Sequence, residues 1–144
     1  MKNNLTDLIT SPVSIAQAND IQDLISNLEA YNHSQLGENN KTPITTAIRK
    51  EDGSLIGGLF AYISWGWCVI ELLWVDEQYR GNDLATNMMN NIEQYATEQG
   101  ITRFKLETGS FQALDFYKKM GYEVYAQLED CPIGHTNYYC RKII

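Results

Sequence analysis

Two stretches of this sequence carry residue types able to do chemistry. In the first, Leu73-Trp74-Val75-Asp76-Glu77-Gln78-Tyr79-Arg80-Gly81-Asn82-Asp83-Leu84-Ala85, an apolar run gives way to a polar loop and then to a helical pattern. A loop that enters a helix directly after a strand points unsatisfied backbone N–H groups outward and so favours an anion. Arg80 adds a fixed positive charge at that rim. The stretch contains neither G-x-x-x-x-G-K-[ST] nor G-x-G-x-x-G, which lowers the weight of nucleoside triphosphatases and dinucleotide binders. The second stretch is Cys68–Val75, in which Glu71 is the one charged side chain. An unpaired carboxylate buried there would be costly. Burial would also raise its pKa, which suits a group that accepts a proton near neutrality. A structural hydrogen bond, an ion pair to a neighbouring strand or an exposed position explains Glu71 equally well. His135 is the other proton acceptor to consider, because an unperturbed imidazole titrates closest to neutrality, although a lone loop histidine is more often structural. Cys68, Cys131 and Cys140 are odd in number, far apart and in no ligand spacing with His33 or His135, so no metal site is expected and a reducing compartment is the simpler reading.

These groups need elements to hold them. Ile21, Leu24, Ile25 and Leu28 recur at helical spacing, with Asn19 or Asp20 as N-cap and an end near Tyr31. Ile44–Arg49 and Leu55–Ser64 read as strands joined by the Glu51-Asp52-Gly53 turn, and Trp65-Gly66-Trp67 marks a second reversal. Cys68–Val75 is apolar on both faces and so belongs inside a sheet. The period then changes from 2 to 3.6. Leu84, Met88, Met89, Ile92, Tyr95 and Ala96 share one helical face, with Gly100 as the stop. Arg103–Glu107 predicts a short strand and Phe111–Met120 a helix. Tyr122–Leu128 and Thr136–Ile143 predict two closing strands around Cys131-Pro132-Ile133-Gly134. The strand, helix and strand between Cys68 and Glu107 must form a right-handed unit with its strands parallel. No repeat or linker divides the 144 residues, so one domain spanning 1–144 is expected.

In this order of elements the sequence resembles the GNAT N-acetyltransferase superfamily. There, R-x-x-G-x-[GA] at a strand-to-helix turn wraps the pyrophosphate of acetyl-coenzyme A. Arg80-Gly81-Asn82-Asp83-Leu84-Ala85 matches at its first and last positions, with Asp83 in place of the family glycine. The second signature, A-x-x-F-Y-x-K-x-G-[FY], is intact as Ala113-Leu114-Asp115-Phe116-Tyr117-Lys118-Lys119-Met120-Gly121-Tyr122, and Ser110 replaces the asparagine that often precedes it. Trp65-Gly66-Trp67, Ile70–Val75, Ser110-Phe111-Gln112-Ala113 and Pro132-x-Gly134-His135-x-x-Tyr138 are similar to a bacterial subgroup whose members mostly lack assigned substrates. The resemblance implies an α/β (mixed α+β) fold: a mixed, mostly antiparallel central sheet with a parallel β-α-β core and flanking helices. It also implies acetyl-coenzyme A as cosubstrate, held by Leu73, Trp74, Val75, Arg80, Gly81, Asn82, Asp83, Leu84, Ala85, Thr86, Ser110, Ala113, Tyr117 and Lys119.

By the same resemblance, Tyr117 matches the tyrosine that meets the coenzyme sulfur, and a phenol with a pKa near 10 is a proton source for a departing thiolate. A packed aromatic beside Phe116 is the structural alternative. Glu71 is the candidate base for an acceptor ammonium, with His135 or bulk water in reserve. A carboxylate about 4 Å from a phosphate would cost on the order of 4 kcal/mol at an effective dielectric near 20, so Asp83 is expected to point away or to cap the helix. Trp65, Trp67 and Trp74 flank the expected acceptor side, where they could stack on a cation, with core packing as the default.

Charge and composition narrow the partners. Eleven basic against eighteen acidic residues give a formal net charge of −7, which disfavours a nucleic-acid backbone or an anionic membrane. A small-molecule or peptide amine fits better, with homodimer formation left open. The opening MKNNLTDLIT lacks a secretory apolar segment, and Ala61–Val75 is too short to span a bilayer. A cytoplasmic protein is expected. The reading is an N-acetyltransferase that works by direct attack. A noncatalytic coenzyme-A-binding or sensor domain is the alternative, and an interaction module without a ligand is disfavoured by the intact second signature.

Overall fold

The computed structural model describes residues 8–144. The chain divides into a unit ending at Glu38 and a unit Asn39–Ile144. In the first, α1 runs Ala18–Leu36, longer at both ends than the apolar spacing predicts. Its N-cap is Gln17, without a side-chain cap bond, so Asn19 and Asp20 lie inside the first turn. No helix among the described residues is long and apolar enough to cross a membrane.

The second unit is a six-stranded mixed sheet with two helices. Its elements are β1 (Thr42–Arg49), β2 (Leu55–Ser64), β3 (Trp67–Val75), one turn of 3-10 helix (Glu77–Tyr79), α2 (Leu84–Glu98), β4 (Arg103–Gly109), α3 (Leu114–Lys119), β5 (Glu123–Glu129) and β6 (Thr136–Ile143). The spatial order is β1-β2-β3-β4-β6-β5. Only β3 and β4 are parallel, as the β-α-β reading requires; every other neighbouring pair is antiparallel. The insertion of β6 between β4 and β5 is a property of the last hairpin, whose returning strand pairs on both edges. α3 is shorter than the pattern from Phe111 predicts. The Gln112 N–H donates to the Gly109 carbonyl at 2.9 Å and Gln112 Oε1 accepts the Gly109 N–H at 2.7 Å, so a closed turn occupies the first residues of that segment.

The core lies between one face of the sheet and the two helices. Leu59, Ala61, Cys68, Ile70, Phe104, Leu106 and Cys140 from the strands meet Met88, Met89, Ile92 and Ala96 of α2 and Tyr117 of α3. Burying each large apolar side chain of this kind contributes about 1.5–3 kcal/mol. The same strand that buries Ile70 turns Glu71 outward, because Phe60 pairs with Leu72 while Ala61 pairs with Ile70, leaving Glu71 as the extra residue of a β-bulge. Glu71 is therefore exposed, and the desolvation cost of a buried carboxylate does not arise.

Candidate active site

The bulge coincides with a second break in regularity. The parallel pairing of β3 with β4 covers Cys68–Ile70 and Phe104–Leu106 and then stops. Both strands continue, β3 to Val75 and β4 to Gly109. Each is held from outside: Val75 pairs with Gly57 on β2, and Thr108 and Gly109 pair with Tyr138 and Asn137 on β6. A side chain at position 57 would crowd this arrangement, since a Cβ there would lie 3.1 Å from the Trp74 carbonyl oxygen and 3.3 Å from the Met88 methyl. Beyond Ile70 and Leu106 the strands thus part into a cleft of about 590 Å³, with walls that include Glu71, Leu72, Leu73, Trp74 and Val75 on one side and Glu107, Thr108, Phe111, Ala113 and Tyr117 on the other.

A smaller hollow of about 230 Å³ lies over the strand-to-helix turn and is lined by Tyr79, Gly81, Asp83, Leu84 and Thr86. Val75, Arg80, Ala85 and Phe116 line both spaces, so they adjoin. Arg80 is anchored by its Nε, which donates to the Val75 carbonyl at 3.1 Å, and forms no ion pair with protein among the described residues. Asp83 occupies the N-cap position of α2 in the left-handed region, at φ 58°, and makes no side-chain cap bond. That backbone geometry explains why glycine suits the position and why Asp, which tolerates it better than most residues, can stand there. Of the two alternatives expected for Asp83, the cap is not made: the N–H groups of Leu84, Ala85 and Thr86 are left free of it, at the lining of the smaller hollow beside an Arg80 guanidinium without an ion pair among the described residues.

Of the residues that the resemblance assigns to the coenzyme, Leu73, Trp74, Val75, Arg80, Gly81, Asp83, Leu84, Ala85, Thr86, Ala113 and Tyr117 border these two spaces, as does Glu71. Three do not. Asn82 is exposed and folds back on its own turn, its Nδ2 donating to the Tyr79 and Arg80 carbonyls at 3.0 and 3.3 Å. Ser110 Oγ accepts the Thr136 N–H at 3.1 Å and so braces the turn after β4. Lys119 is exposed in the last turn of α3, away from the helix start that meets the cleft. Among the tryptophans only Trp74 reaches the cleft. Trp65 forms the β2–β3 turn at φ 50°, and Trp67 starts β3 at the end opposite the parting. His135 lies outside both spaces, its ring edge-on to Phe111 at 5.0 Å.

Tyr117 is buried, packed edge-on against Phe116 at 5.2 Å. Burial, with a smaller contribution from Cys140, pushes its phenol up to about 12. The ordinary value near 10 expected from sequence is corrected by that desolvation. On the other face of the sheet, Tyr62, Val69, Glu71, Lys105, Glu107 and Tyr125 line a polar hollow of about 290 Å³. Burial, and then the neighbouring Glu71 carboxylate, hold the Tyr62 phenol above its usual range. Glu107 Oε2 accepts the Asn137 amide at 2.9 Å. Glu71 and Glu107 line both this hollow and the cleft, so the two faces of the sheet communicate between the parted strands.

Sequence reasoning missed Glu107, Thr108, Phe111 and Gln112. The alternation Phe104, Leu106, Thr108 was available in the sequence to place Thr108 on the buried face of β4. Phe111 depends on a feature with no local signal: its ring lies where a Cβ on Gly109 would be, at 2.6 Å, and it stays 58% exposed at the cleft.

The chain matches the Acetyltransferase (GNAT) family over residues 13–122. It is similar to a blasticidin-S acetyltransferase of Streptomyces morookaense, with 38% identity over 89 residues, 61% of this chain and 65% of that protein. The matched stretch is thus just under two thirds of that relative's length. Among solved structures, an acetyltransferase from Bacillus cereus ATCC 14579 superposes with a TM-score of 0.82 at 27% identity, covering 93% of this chain and 98% of its own. An aminoglycoside 6′-N-acetyltransferase solved with coenzyme A shares the fold, with a TM-score of 0.63 at 17% identity over 90% of this chain and 95% of its own.

Proposed function

The chain belongs to the GNAT acetyltransferase family, and from that premise we propose that it moves an acetyl group from acetyl-coenzyme A to a primary amine by direct attack, with both substrates bound at once. The acceptor proposed is a small, cationic, amine-bearing molecule or peptide, a class that includes antibiotics of the kind named for the relative from Streptomyces. The whole chain is taken to work as one acetyltransferase domain. The observation that carries this reading is the parting of β3 from β4 between two spaces of opposite character, an apolar wall with an anion-sized hollow on the helix side and a carboxylate-lined hollow on the other.

The residues fit the cosubstrate. Arg80 and the first-turn N–H groups of Leu84, Ala85 and Thr86 would hold its phosphates, and Leu73, Val75, Ala113 and Tyr117 would flank its thiol-bearing arm. The buried Thr108 hydroxyl, which has no partner among the described residues, supplies an unspent polar contact in the same wall. When bound, acetyl-coenzyme A supplies the acetyl group as a reactive thioester. Glu71 accepts the proton of the acceptor ammonium, directly or through water, and so leaves a neutral amine able to attack. Tyr117 keeps its proton throughout the physiological range. With a phenol held at about 12 against an ordinary thiol near 8.5, it steadies developing negative charge on sulfur as a hydrogen-bond donor rather than by full proton transfer. Glu71 and Glu107 favour a positively charged acceptor, since exposed charge acts mainly where it lines the pocket.

The test is a transfer assay over small amines, polyamines, peptides and cationic aminonucleosides, following free thiol and acetylated product together. Equal amounts of the two with at least one amine are expected. Coenzyme binding without acetyl transfer to any amine would favour a noncatalytic sensor instead.

A further inference from the structure

We propose that Thr108 is a positioning residue whose hydroxyl hydrogen-bonds the thiol-bearing arm of the coenzyme, an assignment that rests on the acetyl-transfer reading. Thr108 is 2% exposed, and its Oγ1 is the one fully buried side-chain nitrogen or oxygen without a hydrogen-bond partner among the described residues. Elsewhere the fold satisfies such groups with care. The buried Glu93 accepts the Tyr122 hydroxyl at 2.9 Å and the Lys142 ammonium at 2.6 Å. An orphaned hydroxyl in so well-satisfied an interior needs a reason, because leaving a buried donor unpaired is unfavourable.

Its place in the sheet gives the reason. Phe104, Leu106 and Thr108 alternate on the face of β4 that forms the core, and the first two are fully engaged in that core. Thr108 comes two residues after the last β3–β4 pair, on the stretch of β4 whose backbone pairs with β6 alone. It lines the cleft on the wall that also carries Ala113 and Tyr117. Valine has the same shape, favours a strand as strongly and would leave nothing unpaired, so packing alone does not call for threonine here. A threonine hydroxyl donates one hydrogen bond and accepts others, and rotation about χ1 exchanges it with the methyl group. The matching ligand chemistry is a carbonyl or amide: the coenzyme arm offers amides, and the acetylated form adds a thioester carbonyl.

The test compares wild type, Thr108→Val and Thr108→Ser by titration calorimetry with coenzyme A and with acetyl-coenzyme A, beside the melting temperature of each unliganded protein. The valine variant is expected to lose roughly two- to tenfold in affinity, the effect of one neutral hydrogen bond, while its unliganded melting temperature stays equal or rises. The serine variant, which keeps the hydroxyl, should bind within about twofold of wild type. Loss with both ligands places the contact on the arm, and loss with acetyl-coenzyme A alone places it on the acetyl carbonyl; either supports the proposal. Wild-type affinity of Thr108→Val for both ligands, or a lower melting temperature without a change in affinity, makes the hydroxyl structural and overturns it. Failure of wild type to bind either ligand would instead remove the acetyl-transfer reading itself, and this assignment with it.

Discussion

The two faces of the sheet at the parting of β3 and β4 are built on opposite principles. Toward α2 and α3 the wall is apolar, with Leu73 and Val75 packed against the core, Tyr117 buried, and the Thr108 hydroxyl the one buried side-chain polar group without a partner among the described residues. On the other face Leu72 and Trp74 are 65% and 46% exposed, and Glu71 and Glu107 bring two carboxylates to the edge of the opening. Burial raises the Tyr117 phenol on the first; on the second Glu71 is exposed, so geometry and charge rather than burial must set what it does. In the proposed reaction the thioester takes the closed face and the amine the open one.

The largest expected effect tests the closed face. Tyr117→Phe keeps the ring and its contact with Phe116 but removes the donor, so kcat should fall by roughly ten to ten thousand times with coenzyme affinity little changed. Unaltered turnover with the best acceptor would return Tyr117 to the core. On the open face, Glu71→Gln preserves shape, and turnover should fall by roughly ten- to a hundredfold, because an exposed site lets water substitute in part. Unchanged turnover would move the proton acceptor to water.

A third expectation follows from burial. A phenol raised from about 10 in the unfolded chain to about 12 in the native one binds its proton more tightly when folded. Its contribution is therefore complete below about pH 10 and is lost as the pH climbs to about 12, by roughly 2–3 kcal/mol. Denaturant melts across that window should fall less steeply for Tyr117→Phe than for wild type. The fall should not vanish, since burial and Glu93 also raise Tyr122. An equal slope would mean that Tyr117 is more solvated than its packing implies. The smallest effect concerns Asp83. Asp83→Gly suits the left-handed backbone and removes a negative charge beside the hollow, so coenzyme affinity should rise by roughly two- to fivefold at low salt and converge on wild type at high salt. Equal affinity at all salt concentrations would place the carboxylate out of reach of the phosphates.

Much of the fold was legible because period and punctuation agree: β2 and β6 occur within the bounds their alternation gives, and the switch to helical spacing at Leu84 marks the start of α2. The turn from β3 into α2 was legible for the same reason, as a strand, a loop and a helix in succession. What the sequence hid depends on pairing between distant segments. The bulge at Glu71 exists only in the register of β3 against β2, so an apolar run with one carboxylate looked buried when that residue is turned out. The parting of the strands depends on where two ladders end, and the place of β6 depends on which edge the last hairpin finds. Alternation could have placed Thr108 on the buried face but not shown that its hydroxyl lacks a partner, and Phe111 was hidden because its place depends on the side chain Gly109 does not have.

The claim that the two faces divide the substrates is tested most directly by a crystal structure of the protein with coenzyme A and a cationic amine acceptor bound together. The account predicts the coenzyme arm between β3 and β4 on the helix side, its phosphates over Leu84–Thr86 and its sulfur beside Tyr117, with the amine approaching from the opposite face past Glu71 and Trp74. An arm lying outside the parted strands, or an amine and a thiol held on the same face with Glu71 remote from both, would contradict it.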